Sequence, residues 1–123
     1  MLAAMAVEAS CHCGAVRIEV ARAPDVLTSC NCSICRRLAS QWAYYPPSQV
    51  VVTGPTVTYR WGDEMIDLHH CGTCGCATHW TGVDARVGDR MGVNTRLMDP
   101  AVVAGLRVKR VDGAAGTWAE LPD

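Results

Sequence analysis

The stretch Cys30-Asn31-Cys32-Ser33-Ile34-Cys35-Arg36-Arg37 puts three thiols into six positions. Two further clusters flank it, Cys11-His12-Cys13-Gly14 upstream and Cys71-Gly72-Thr73-Cys74-Gly75-Cys76 downstream, and the three together hold all 8 cysteines of the 123-residue chain. A disulfide between such near neighbours closes a small, strained ring. One- and two-residue gaps suit thiolates converging on one ion instead. With 4 Trp, 3 Tyr and no Phe the chain has few large rings for a core, so bound metal is expected to help hold the fold.

Outward from the clusters the chain reads as short strands. Val16, Ile18 and Val20 alternate with Arg17 and Glu19 across residues 15–21, the period of two of a half-buried strand. Further strands are expected at 26–30, 41–45, 50–53, 56–61, 66–70, 78–81, 90–95 and 106–111, with Gly54-Pro55 as a turn. Helix is expected in two places only. One is a turn carrying Arg36 and Arg37; the other opens at Asp99-Pro100, with Asp99 as N-cap, and stops at Gly105. Residues 1–10 read as a ragged start with no basic n-region, and residues 112–123 as a loop anchored by Trp118. Many short strands with two brief helices predict a mainly β fold, a sandwich or folded sheets. One domain over residues 1–123 is expected, with its core at about 10–118.

Zinc (Zn) prefers tetrahedral Cys and His ligands, four in a structural site. Cys71-x2-Cys74-Gly75 is a knuckle that supplies two and needs a second pair. Cys11 and Cys13 are one candidate pair, and two of Cys30, Cys32 and Cys35 are the other. If the first pair joins, a four-thiolate site clamps the N-terminal strand to the middle of the chain. The central cluster is then left with three thiolates and an open position, the arithmetic of a reactive site. Three thiolates make zinc a weak Lewis acid but suit a soft fourth ligand, and a thiol that binds there loses its proton. Cys76, a histidine from His69, His70 or His79, or water could instead complete that cluster and leave it inert.

The charge balance, 11 basic against 12 acidic residues for a net charge of −1, argues against a nucleic-acid partner. No apolar run is long enough to span a bilayer. Thiol-rich clusters without a signal sequence predict a cytoplasmic protein. No Gly-rich phosphate loop, Ser-His-Asp set or carboxylate pair can be argued. Arg36 and Arg37 follow the central cluster directly and could hold a substrate carboxylate. Asn94 and Arg96 are weaker candidates. Trp42 and Tyr44 share a face at period two and could wall a pocket there.

Ser10-Cys-His-Cys-Gly-Ala-Val16, Cys30-Asn-Cys-Ser-Ile-Cys-Arg-Arg37, Cys71-Gly-Thr-Cys-Gly75 and Val93-Asn-Thr-Arg-Leu-Met-Asp-Pro100 resemble the glutathione-dependent formaldehyde-activating family, also named with centromere protein V. The resemblance runs from about Ser10 to Trp118. It implies a β-tent of folded antiparallel sheets built around zinc knuckles. It also implies two zinc ions, a structural one on Cys11, Cys13, Cys71 and Cys74, and a catalytic one on Cys30, Cys32 and Cys35. The activity it implies is a carbon–sulfur lyase reaction joining formaldehyde to glutathione. Two positions depart from the commoner pattern: Cys76 stands where Thr or Ser is usual, and His79-Trp80 stands near a position often aromatic. The reading reached is a zinc protein acting on a small thiol such as glutathione and a small electrophile. Its rivals are a non-catalytic zinc module that binds a thiol metabolite or a protein, and a redox or metal-handling protein.

Overall fold

The structure, a computed structural model, describes residues 5–122. The first four positions of the expected ragged start and the last position of the expected loop lie outside the described residues. The fold is mainly β. Ten strands are β1 (Val7–Ser10), β2 (Arg17–Val20), β3 (Val26–Cys30), β4 (Trp42–Tyr45), β5 (Val50–Thr53), β6 (Thr56–Tyr59), β7 (Ile66–Cys71), β8 (Ala77–Gly82), β9 (Met91–Asn94) and β10 (Arg107–Val111). Two one-turn helices are α1 (Cys35–Leu38) and α2 (Pro100–Val103). Asp99 caps α2 as its sequence predicts, its Oδ1 accepting from the Ala101 amide at 2.9 Å.

The strands form two sheets, one ordered β1-β2-β5 and the other β10-β3-β4-β9-β8-β7-β6. Among the described residues every strand pairing is antiparallel except one: β10 runs parallel to β3, with Val111 opposite Cys30. The folded antiparallel sheets expected from the sequence are present, with β10 added at the edge as a parallel neighbour. A parallel neighbour needs a long crossover, and here nearly the whole domain lies between the two strands.

β1 is the strand that the ragged-start reading missed. It pairs with β2 from Val7 opposite Val20 to Ser10 opposite Arg17. Its sequence, Val-Glu-Ala-Ser, buries only Ala9 fully, so no run of large apolar residues announces it.

The small sheet packs on the middle of the large one. Ala9, Ile18 and Val20 meet Ala43, Tyr45, Val93 and Met98 in the main core. β4 serves two faces: Ala43 and Tyr45 point into that core, while Trp42 joins Leu68 and Trp80 in a second cluster on the opposite face. This is the period-two geometry of a strand, and the second face is where the site lies. Gly54 turns β5 into β6 at φ 101°, and a side chain there would run into the Ala15 carbonyl. No helix among the described residues is long and apolar enough to cross a membrane.

Candidate metal centres and the adjoining cavity

The end of β1 and the β7–β8 hairpin bring Cys11, Cys13, Cys71 and Cys74 together, with all four Sγ atoms within 4.8 Å of one another. Cys13 Sγ lies 3.7 Å from Cys11 Sγ and 3.6 Å from Cys71 Sγ. A zinc–sulfur bond of about 2.3 Å gives a tetrahedron whose edge is about 3.8 Å, while a disulfide needs about 2.05 Å. The spacing therefore fits a shared ion and excludes a bridge. Backbone amides aim at the sulfurs: Val16 N–H donates to Cys11 Sγ at 3.2 Å, and those of Thr73 and Cys74 donate to Cys71 Sγ at 3.4 and 3.5 Å. The amides of Cys76 and Cys13 hold the Cys74 thiol down to about 5, and those of Cys74 and Thr73 lower Cys71. Both favour thiolate, the form a metal takes. Gly75, at φ 81°, lets the knuckle close. Cys76 stands outside the four, half-buried against Cys11 and Cys71.

The second cluster is Cys30 at the end of β3, Cys32 in the loop and Cys35 at the start of α1, again within 4.8 Å sulfur to sulfur. The Cys32 amide donates to Cys30 Sγ at 3.4 Å, the Cys35 amide to Cys32 Sγ at 3.5 Å, and the Trp42 indole N–H to Cys35 Sγ at 3.4 Å. The Cys35 thiol beside it and the Cys32 amide hold Cys30 down to about 6. The neighbouring Cys30 thiol, and then burial, push Cys35 up. Among the described residues no fourth Cys, His, Asp or Glu joins the three. His69 is engaged elsewhere: it hydrogen-bonds with Thr56 and Thr81 and stacks on His79 at 4.0 Å between ring centroids. Both donor sets fit zinc: all sulfur, with amide partners and tetrahedral spacing.

A cavity of about 720 Å³ opens over the three-cysteine cluster. Its wall includes Cys30, Cys32 and Cys35, Tyr44, and Trp42, Trp61, Trp80 and Trp118, which are all the tryptophans of the chain. Trp42 and Tyr44 thus share the wall, as their spacing in β4 predicts. Three arginines also line it. Arg86 is held by Asp84, Nε to Oδ1 at 2.9 Å. Arg90 lays its guanidinium over the Tyr44 and Trp80 rings, at 4.9 and 5.8 Å. Arg36 lines this cavity and also a smaller one of about 310 Å³, which Arg96 and Arg110 share. Arg37 turns back, its Nη1 donating to the Ser33 carbonyl at 2.7 Å, and lines neither cavity. Asn94 is a joint in the backbone: Nδ2 donates to the Ala77 carbonyl at 2.9 Å, and Oδ1 accepts from the Arg96 amide at 3.2 Å.

Sequence reasoning missed Arg90 and Gly113. Arg90 reads as an ordinary residue at a strand start. A Cβ at Gly113 would lie 2.5 Å from both Cys30 Sγ and a Trp118 ring carbon, a close approach between segments some eighty residues apart that no local signal carries.

Fold and clusters together define a mainly β, two-sheet domain with one four-cysteine and one three-cysteine centre, each compatible with zinc. The profile of the glutathione-dependent formaldehyde-activating enzyme family matches residues 6–110, and the chain belongs to that family. It is 35% identical over 85 residues to a protein of Halomonas elongata provisionally named as a glutathione-dependent formaldehyde-activating enzyme. That match covers 59% of this chain and 54% of the relative, so the chain spans about half the length of the curated relative. The fold is similar to the crystal structure of a Rhodobacter sphaeroides protein, with a TM-score of 0.67 and 29% identity, over 82% of this chain and 98% of that one.

Proposed function

We propose that this chain acts as a carbon–sulfur lyase-type protein on a small thiol such as glutathione and on formaldehyde or a related small electrophile. One observation carries the reading: among the described residues the four-cysteine centre has four ligands, whereas the three-cysteine centre has three and faces a cavity. Zinc held by Cys30, Cys32 and Cys35 would supply an open position that takes a substrate thiol as its thiolate. Addition of a thiol to an aldehyde would exchange the S–H bond and the carbonyl π bond for a C–S and an O–H bond, so no oxidant or reductant is needed.

The chain's own part is to position and to exclude water. The amides of Cys32 and Cys35 and the Trp42 N–H spread the negative charge of the sulfurs. Arg36 at the cavity wall supports bidentate pairing with a carboxylate of the thiol. Arg37 is part of the same proposal, and its bond to Ser33 would have to open for it. Cysteines without disulfide partners suit a reducing compartment, and cytoplasmic residence belongs to this proposal.

The test is metal content and turnover for the native chain and for Cys35→Ser. About two zinc ions per chain falling to about one, with the β spectrum kept and thiol–formaldehyde turnover lost, is the expected result. A fully loaded chain that adds nothing to the uncatalysed rate would leave a binding module. One zinc, unaffected by the substitution, would remove the central cluster as a metal site.

A further inference from the structure

We infer that the electrophile this chain accepts carries an aromatic ring or a similarly flat apolar group, and is not formaldehyde alone. The inference rests on the thiol-addition chemistry proposed above and deepens it. One-carbon formaldehyde needs no apolar wall. Yet Trp42, Trp61, Trp80, Trp118 and Tyr44 converge on a single cavity of about 720 Å³ beside the three-cysteine cluster.

Burial in the fold does not account for all of these rings. Tyr44 is 37% and Trp118 59% exposed. Trp118 also adopts a left-handed backbone at φ 57°, costly for a bulky side chain unless its surroundings impose it. Its amide donates to the Asp112 carbonyl at 3.1 Å, while Asp112 N–H donates to the Ala119 carbonyl at 2.9 Å. The loop thus spends hydrogen bonds on holding an exposed indole at the cavity, where its ring approaches Gly113. Tyr44 and Trp80 meet at 5.9 Å with their planes tilted by 55°, and Arg90 covers both. Such a corner offers ring faces and edges to a flat guest, and large rings bury much apolar area at small entropic cost.

The reaction keeps its balance for such a partner. A thiol RSH adds to an aryl aldehyde ArCHO to give RS–CH(OH)Ar. The S–H bond and the carbonyl π bond break, the S–C and O–H bonds form, and no oxidant or reductant is needed.

The test is calorimetric binding of S-benzylglutathione and S-methylglutathione to the zinc-loaded chain, with S-benzylcysteine and S-methylcysteine as the matching pair without the tripeptide. The expected result is a benzyl preference of about tenfold or more. Trp118→Ala should remove most of it without changing metal content. Trp80→Ala should act in the same sense if it folds; Trp118, being exposed, keeps the test sound if it does not. Equal affinity for benzyl and methyl probes overturns the inference, even where glutathione itself adds affinity. A benzyl preference with no gain from the tripeptide sustains it while removing glutathione as the thiol. No binding by any of the four probes overturns the inference, while the thiol-addition reading stands or falls separately on the turnover assay of the loaded chain.

Discussion

The indole N–H of Trp42 reaches Cys35 Sγ at 3.4 Å from a ring only 2% exposed. A donor fixed by packing lowers the energy of negative charge on that sulfur without having to be ordered first. Trp42→Phe keeps most of the packing and removes the donor. It should weaken metal binding at the three-cysteine centre by about tenfold, read by competition with a chromogenic chelator, and leave the four-cysteine centre unchanged. Residue by residue, the sulfurs were the legible part of the site. Their spacing needs no fold to be read, because Cys30, Cys32 and Cys35 are near neighbours in the chain. What surrounds them was legible only where a single strand carries it. Trp42 and Tyr44 fall on one face of β4 by simple alternation. Arg90, Trp61, Trp80 and Trp118 arrive from four other segments, and nothing local ties them together.

At the scale of elements, β7 and β8 carry a stacked pair, His69 and His79, that belongs to neither cluster. Burial, and then the nearby His69, hold His79 down to about 4, and burial lowers His69 as well. Each ring therefore resists protonation in the folded chain more than in the unfolded one. Between about pH 6.5 and pH 4 the unfolded chain binds the extra proton, so stability is full above that window and is lost as pH falls through it. His79→Gln should lose about 2 kcal/mol less than the native chain between pH 7 and pH 5, measured by denaturant unfolding at matched metal content. The strands themselves were mostly readable, because alternation such as Val16-Arg17-Ile18-Glu19-Val20 signals one buried face. Two features were not. β1 buries one small side chain fully, and the parallel pairing of β3 with β10 depends on the path of everything between them.

Across the whole molecule, the four-cysteine centre joins the two sheets. Cys11 follows an edge strand of the small sheet, and Cys71 and Cys74 belong to a hairpin of the large one. Cys11 and Cys71 are almost wholly buried, with Val16 packed against them. A metal bound there contributes directly to folding free energy, whereas one at the three-cysteine centre, open to a cavity, does not join sheets. A strong chelator should therefore act in two stages. The first ion leaves with little change in the far-ultraviolet spectrum, and the second leaves together with unfolding, followed by parallel metal-release and circular-dichroism traces. The choice of Cys11 and Cys13 as partners for Cys71 and Cys74 stood open in the spacing, since thiol counts fit more than one pairing; the sheet packing brings those four sulfurs together. The lone parallel pair has a consequence of its own, in time. Cys30 is braced by Val111 and roofed by Gly113 and Trp118, all supplied far along the chain, and contacts so distant in sequence form slowly. As the chain leaves the ribosome, Cys74 emerges some forty residues before that bracing does. The clamp between the sheets can close on a growing chain, and the cavity over the three-cysteine cluster is the last part to be walled in.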